Sequence, residues 1–172
     1  MVERKSAGRA SAAALDLGIL LGLAYQGFTD ELRVALAAQG FTDLGSAYGY
    51  VFRALAGAAL SQRDLALRLG ITDQGMAKIL GEMIERGYLE RHADPEDARV
   101  KRLRLAARGR AALRAARRFH ADREARLVVE LGAGKVEVLR QALAALARPG
   151  GPSSSGDGDA DQDLAQARLR AM

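Results

Sequence analysis

The chain of 172 residues contains no cysteine and no tryptophan, and aromatic side chains make up only 5% of it. Without cysteine it cannot form a disulfide, a thiolate metal cluster or a thiol-based redox switch. Few aromatic residues, together with abundant alanine, leucine and arginine, favour helices over a sandwich of β-branched strands. The composition therefore predicts a mostly α fold.

Long apolar runs are missing too, and none reaches the roughly 20 residues that a membrane-spanning helix needs. The most apolar stretch, Leu15 to Tyr25, follows basic residues as the core of a signal peptide does, but Asp16 interrupts it. We therefore expect a cytoplasmic protein that has no membrane partner.

Residues suited to catalysis or metal binding are scarce. His92 lies at the end of a predicted strand, and His120 lies in a predicted helix with Glu124 four residues later. A lone His–Glu pair on a helix is more typical of a surface interaction than of a metal site. No Gly-rich phosphate loop, His-Glu-x-x-His or Gly-x-Ser-x-Gly motif occurs. We therefore expect that the protein is not an enzyme and that it binds no cofactor and no metal.

Composition and charge together divide the chain into three parts. Lys and Arg number 26 against 21 Asp and Glu, so the net charge is +5, which suits a polyanionic partner. Residues 149–172 are rich in Gly, Ser and Asp and carry four Asp and two Arg. Such a composition predicts a disordered tail. We expect a flexible N-terminus over 1–12 and one folded domain over 13–148.

The spacing of apolar residues predicts helices at both ends of this domain. A spacing of three and four from Leu17 to Leu36 predicts a long first helix. A second helix is predicted between an Asp43 N-cap and Gly57, followed by a loop over 58–60. A long helix from Ala107 to about Leu131, a break at Gly132 and Gly134, and a final helix ending near Ala147 complete the domain.

Residues 62–80 have the pattern of a helix-turn-helix. Ser61 and Asp64 form a capping box for a short helix that Gly70 closes, and Thr72 caps the next helix, which ends before Gly87. A small residue between the helices lets them approach closely, and Gly70 can supply the positive φ of the turn. The same spacing also occurs in any two helices joined by a glycine turn.

Two short β-like runs follow, at Tyr88 to His92 and Lys101 to Leu105, with turn-forming residues at 94–97 between them. A hairpin of this kind is a wing, whose basic residues can meet phosphates and a minor groove. They are Arg99, Lys101, Arg102 and Arg104.

The run SQRDLALRLGITDQGMAKILGEMIERGYLERHADPEDARVKRLRLAARG resembles the MarR family of bacterial transcriptional regulators, and the likeness extends over 15–146. The wing signature of that family is matched at Asp94, Pro95, Asp97, Arg99, Leu105 and Gly109. The resemblance implies that Arg99 enters the minor groove and that Asp97 holds the shape of the wing. The chain departs from the signature at Ala98, where arginine is usual, and at Ala106, where threonine would cap the long helix.

The resemblance also implies a winged helix-turn-helix with a core over about 43–106, and a homodimer formed by the first helix and the last two. It favours a ligand-responsive repressor that binds a pseudo-palindromic operator in double-stranded DNA. The alternative is a protein-interaction or architectural module that kept the winged-helix fold without reading sequence.

The N-terminal end of the second helix of a helix-turn-helix points into the major groove. Gln74 can pair with adenine, and Lys78 can reach guanine or a phosphate. Asp73 either accepts from cytosine or, as we favour, serves only as a helix-start acid. The candidate DNA-binding residues are Ser61, Gln62, Thr72, Asp73, Gln74, Gly75, Lys78, Arg99, Lys101 and Arg102.

The predicted long helix is rich in arginine, which is more typical of a solvated face than of a DNA contact. These residues are Arg108, Arg110, Arg114, Arg117, Arg118, Arg123 and Arg126. Aromatic residues on the first, second and long helices either form a junction core, which we favour, or line a pocket for a small aromatic effector. The candidate pocket residues are Tyr25, Phe28, Tyr48, Phe52 and Phe119, with Arg53 and His120 as polar anchors.

Overall fold

The computed structural model describes residues 15–94 and 100–147, which divide into two compact units between Thr42 and Asp43. The predictions for residues 1–12, for the tail over 149–172 and for the wing tip, including Asp97 and Arg99, lie outside the described residues.

The first unit contains one helix, α1, over Leu17–Ala37, as the apolar spacing predicts. A turn follows α1, in which the Phe41 N–H donates to the Leu36 carbonyl at 3.1 Å. Gly40 occupies the left-handed region there, with φ of 85°. Large apolar side chains are exposed along α1 at Leu17, Ile19, Leu23 and Val34. No helix in the described part of the chain is long and apolar enough to cross a membrane.

The second unit is mostly helical and holds one small sheet. Its helices are α2 (Tyr48–Ala54), α3 (Gln62–Leu69), α4 (Asp73–Glu85), α5 (Ala107–Leu131) and α6 (Ala133–Ala147). Its strands are β1 (Leu60–Ser61), β2 (Leu89–Ala93) and β3 (Lys101–Leu105). The sheet is antiparallel with the order β1-β3-β2. This arrangement is a winged helix-turn-helix, which confirms the predicted fold class.

The core of the second unit lies between α3, α4 and the sheet. Leu65 and Leu69 of α3 are almost completely buried, as are Met76, Leu80 and Met83 of α4. Each such side chain contributes about 1.5–3 kcal/mol of burial free energy. The spacing of the buried α4 residues places them on one face of the helix, so the opposite face points outward.

Local signals set the ends of α3 and α4 as predicted. The Ser61 hydroxyl accepts from the Asp64 N–H at 3.1 Å, and the Ser61 N–H donates to the Asp64 carboxylate at 3.1 Å. Gly70 ends α3 in the left-handed region with φ of 65°. The Thr72 hydroxyl then accepts from the Gly75 N–H at 3.1 Å and caps α4. The turn of the helix-turn-helix is therefore built from short-range hydrogen bonds.

Four expectations about element ends are wrong. Asp43 does not cap α2, which begins at Tyr48 after an Ala47 that makes no side-chain cap, because the Asp43 carboxylate binds partners elsewhere in the unit. Gly57 does not end α2, because the helix already ends at Ala54. The residue that follows, Leu55, has a right-handed conformation. Leu60 belongs to β1 rather than to a loop, because it pairs with Leu103 of β3.

The fourth wrong expectation concerns the break before the last helix. Gly132, with φ of 87°, makes the whole break, and Gly134 lies inside the first turn of α6. A glycine is tolerated there because the first N–H groups of a helix have no intrahelical partner, so the first turn has fewer hydrogen bonds to lose than the helix interior.

Candidate nucleic-acid interface

The outward face of α4 carries polar side chains at its N-terminal end and a glycine further along the helix. Gln74 and Lys78 are exposed one turn apart, and Gly81 continues the same face. Because Gly81 has no side chain, a flat surface can approach the helix closely along this line. Asp73 is exposed in the first turn, where a carboxylate interacts favourably with the helix dipole.

Two of the predicted contact residues have a role in shaping the turn. A Cβ atom at Gly75 would lie 3.1 Å from both the Ile71 Cγ2 and the Thr72 Oγ1, so a larger residue would press on the cap of α4. The Gln62 side-chain amide donates to the Asp73 carbonyl at 3.2 Å and ties the start of α3 to the start of α4. Gln62 therefore joins the starts of the two helices that Ser61 and Thr72 cap.

Arg102 holds the wing rather than projecting from it. Its Nε donates to the carboxylate of Asp94, and its Nη1 lies 3.6 Å from the carboxylate of Asp64 on α3. The Asp94 N–H donates to the Val100 carbonyl at 2.9 Å, which closes the hairpin. Hydrogen bonds from Ser61, with the positive charge of Arg102, lower the pKa of Asp64. Lys101 and Arg104 are the exposed basic residues of β3.

The C-terminal end of α4 belongs to a polar cluster centred on Asp43, which we call the Asp43 cluster. Its members are Asp43, Tyr48, Glu82, Arg86, Tyr88 and Arg108. The Tyr88 hydroxyl donates to the Asp43 carboxylate, and Arg108 donates to the same oxygen at 3.0 Å. The hydrogen bond from Tyr88 lowers the pKa of Asp43, and burial raises the pKa of Tyr88 to about 12.

Two arginines extend the Asp43 cluster to the helices around it. Arg86 donates to the Asp43 carbonyl at 2.6 Å and to the Tyr48 hydroxyl at 2.9 Å. Arg108, near the start of α5, donates to the Arg86 carbonyl at 2.8 Å and stacks over the Tyr88 ring at 4.5 Å. The last turn of α4 is therefore connected to both α2 and α5.

Gly109 allows α5 to approach the start of β2. A Cβ atom at this position would lie 2.2 Å from the Tyr88 carbonyl oxygen, well inside contact distance. That carbonyl oxygen also accepts a hydrogen bond from the Ala106 N–H at 2.9 Å. The close approach gives a physical reason for a glycine at this point of the wing signature.

The candidate pocket residues lie in different surroundings. Tyr48 and Phe52 are 2% and 4% exposed and pack with Tyr88, at ring centroid distances of 5.6–6.3 Å, so they belong to the core. Phe119 and His120 are half-buried on α5, where burial and the Arg53 charge lower the pKa of His120. On α1, Tyr25 is exposed and Phe28 is half-buried.

Comparison with known proteins gives the same family as the wing signature. A family profile described as MarR family matches residues 42–100. The structure of the transcriptional repressor CouR bound to a 23-mer DNA duplex is 30% identical, with a TM-score of 0.62, and the match covers 77% of this chain and 93% of that one.

Two further structures share the fold. They are S. aureus MepR bound to ethidium bromide, at 19% identity and a TM-score of 0.58, and apo wild-type MarR from E. coli, at 22% and 0.56. Each match covers 77% of this chain, with 94% of the MepR chain and 97% of the MarR chain. None of the curated proteins compared with the chain matches it. The profile, the 30% identity over most of CouR and the shared fold show that this chain belongs to the MarR family of winged helix-turn-helix transcriptional regulators, proteins that are not enzymes.

Proposed function

We propose that this protein is a homodimeric repressor that binds a pseudo-palindromic operator through α4 and responds to a small ligand. The observation that carries the proposal is the pairing of an exposed, polar N-terminal end of α4 with a C-terminal end fixed in the Asp43 cluster. A helix mounted in this way presents a few side chains to the major groove in a constant orientation.

Base reading falls to two residues of α4. Gln74 matches the N6 and N7 edge of adenine, and Lys78 reaches guanine or a phosphate one turn further on. Arg99 supplies the minor-groove contact of the wing, and Lys101 meets the backbone. Arg102 contributes by holding β3 against α3, since two carboxylates occupy its guanidinium.

Dimerisation is supported by the apolar side chains that the described chain leaves exposed. On α5 and α6 they include Val128, Val129, Leu131, Val138, Leu139, Leu143 and Leu146, in addition to those on α1. Apolar surface of this extent favours burial in an interface, and a two-fold dimer would place two copies of α4 about one turn of DNA apart.

The DNA duplex bound to CouR supports operator binding, and its description as a repressor favours repression over activation. The ethidium bromide bound to MepR supports a response to a small ligand. A ligand alters DNA affinity only by its differential affinity for the bound and free conformations.

The test compares binding to the DNA upstream of the neighbouring genes with binding to random duplexes of equal length. We expect a strong preference for one upstream site, protected over two half-sites. Equal affinity for every duplex would favour the architectural module instead, and no measurable binding to any duplex would contradict the repressor and favour a protein-interaction module.

Salt gives a second, independent measurement. A dimer that neutralises about six phosphates should lose on the order of a thousandfold in affinity between about 50 and 200 mM salt, because condensed counterions are released on binding. Anisotropy titrations across this range measure the slope. An affinity that hardly changes would contradict phosphate contacts by the wing and by Lys78.

A further inference from the structure

The chain separates charge between its helices and strands and an acidic run that follows α6. Four of the 21 acidic residues lie over 157–163, one at every second position. No Lys or Arg occurs over 149–167. We propose that the acidic run, residues 157–163, docks on the basic strands of the wing when DNA is absent and competes with DNA for them. The inference rests on the proposed function in one respect, namely that DNA is the ligand that displaces the run.

The docking surface is the basic wing, by which we mean Arg91 of β2 with Lys101 and Arg104 of β3. All three residues are exposed. The side chains of Arg91 and Arg104 make no hydrogen bond or ion pair with another described residue. Carboxylates bind such groups through charge-assisted hydrogen bonds, which are stronger than those between neutral partners. The exposed cations of the wing are therefore available to an anionic partner.

The carboxylates beside the basic wing are already paired with other residues. Glu90 lies opposite Arg104 in the β2–β3 ladder, but its carboxylate pairs with His92 at 3.2 Å. Asp64 and Asp94 are both paired with Arg102. The positive charge of the basic wing is therefore not neutralised by these neighbouring carboxylates.

Helix α6 brings the chain back towards the wing. The Arg140 guanidinium of α6 donates to the Glu124 carboxylate of α5, and both residues lie eight positions from Gly132, at which the chain turns. Helix α6 therefore runs back along α5, and its last residue, Ala147, approaches the first half of that helix. At about 1.5 Å per residue, the end of α6 lies on the order of 20 Å from the start of α5, which directly follows β3.

The segment between α6 and the acidic run is long enough to cover this distance. Residues 148–156 comprise three Gly, three Ser, two Pro and one Arg. A Gly/Ser-rich linker of this length has an r.m.s. end-to-end distance of about 15–18 Å. A tethered ligand reaches its highest effective concentration, in the millimolar range, when the length of the linker matches the span between the sites. Contacts too weak to bind a free peptide are therefore sufficient for docking within the chain.

The spacing of the aspartates in the acidic run suits a basic strand. In an extended chain, residues at every second position project to the same side, about 6.6 Å apart. The run can therefore present one row of carboxylates to the basic wing, as a DNA strand presents a row of phosphates. Because the run and DNA need the same cations, the run should lower the affinity for the operator and for random duplexes by the same factor.

The absence of cysteine allows a direct test of docking. Ser155→Cys gives the full chain a single attachment point for a nitroxide spin label, next to the acidic run. We expect paramagnetic relaxation enhancement to broaden the amide signals of β3 at about 50 mM salt without DNA. The signals should recover at about 0.5 M salt, at which exposed charges are strongly screened. Signals of β3 that are not broadened, or broadening that persists at high salt, would overturn the proposal.

Charge variants of the acidic run test the competition with DNA. The neutral variant combines Asp157→Asn, Asp159→Asn, Asp161→Asn and Asp163→Asn. It should lose the broadening and bind operator and random duplexes about fivefold or more tighter at about 100 mM salt. Glu at the same four positions keeps the charge and is the matched control, which should bind DNA as the wild type does.

A second control separates docking from net charge. Asp122→Asn with Glu130→Gln removes two exposed carboxylates of α5 that lie more than about 20 Å from the start of that helix. The Debye length at about 100 mM salt is roughly 10 Å, so these charges hardly act on DNA at the wing. This variant should change the affinity less than about twofold.

A neutral variant that binds DNA no tighter than the wild type would overturn the competition. A gain in affinity that the Glu variant or the α5 control shares would overturn it too, because the charge of the run would not be its cause. So would a gain limited to one kind of duplex, since competition for the wing acts on both equally. Failure of the proposed function is distinguishable, because it is seen as a lack of operator preference, whereas docking is measured without DNA.

Discussion

The two ends of the recognition helix α4 have opposite surroundings. At its N-terminal end, Gln74 and Lys78 extend from an exposed face. At its C-terminal end, Arg86 and the Tyr88 that follows are hydrogen-bonded to Asp43, and Arg108 of α5 donates to the Arg86 carbonyl. One end of the helix is thus available to a partner, and the other is fixed within the fold.

This difference indicates how a short helix can read bases accurately. Side chains reach a base edge productively only when the backbone that carries them is held in place. Substitutions at the fixed end should therefore lower stability most, whereas at the free end loss of the Thr72 cap should cost little stability and replacement of an exposed side chain such as Gln74 should lower DNA affinity alone.

The largest effect is expected for Gly109→Ala at the fixed end. The new methyl group would meet the Tyr88 carbonyl, so either α5 or β2 must shift, at a cost of about 3 kcal/mol in the free energy of unfolding. Urea unfolding measures the loss.

The matched control is Gly81→Ala on the exposed face of α4, where a Cβ atom would meet nothing within 4 Å. This variant should gain about 0.5–1 kcal/mol, because alanine is the better helix former. Equal effects of the two substitutions would contradict the close approach at Gly109.

Tyr88→Phe removes the hydrogen bond to the Asp43 carboxylate and should cost about 1.5–3 kcal/mol near neutral pH. Burial raises the pKa of Tyr88 to about 12 from its ordinary value of 10.0, so the folded state binds this proton more tightly than the unfolded state. The contribution is complete below about pH 10 and is lost as the pH rises towards 12.

Urea unfolding at pH 8 and at pH 11.5 checks this, since the gap between wild type and Tyr88→Phe should narrow at the higher pH. A gap that is constant with pH would mean that ionisation of the hydroxyl does not weaken its contribution, and would contradict the raised pKa of Tyr88.

A smaller effect is expected at the free end for Thr72→Ala. Loss of the cap on the Gly75 N–H should cost about 1 kcal/mol in stability. Thr72→Ser retains the hydroxyl acceptor and is the control. A loss as large as that of Gly109→Ala would contradict the distinction between the two ends.

Sequence reasoning predicted the free end far better than the fixed end. Ser61, Gly70 and Thr72 act on backbone groups three to five residues away, so their patterns are visible in any short window. Asp43 binds Tyr88 and Arg108, which lie 45 and 65 residues away in the sequence. The spacing of residues within a short window cannot predict contacts over such distances. The local pattern therefore predicts a helix cap at Asp43.

The same limit applies to the wing and the sheet. The DNA contact of Arg102 stays a prediction, and no local pattern predicts its ion pairs with Asp64 and Asp94, because only the folded hairpin brings these carboxylates to it. The strand β1 has two residues, too few for any alternation to be seen. Spacing and turn signals predict the helix-turn-helix and the hairpin, whereas the wing signature that includes Gly109 comes from the family resemblance.

The most direct test of the account is the operator affinity of Gln74→Ala, measured by anisotropy on the protected upstream site and on a set of duplexes with single base-pair changes. We expect a loss of about 1–3 kcal/mol, relaxed discrimination at one position in each half-site and an unchanged Tm. Lys78→Ala should instead weaken binding to all the duplexes about equally if Lys78 contacts phosphate, and reduce the salt slope. Unchanged affinity and specificity in a fully folded Gln74→Ala protein would contradict base reading by the free end of α4.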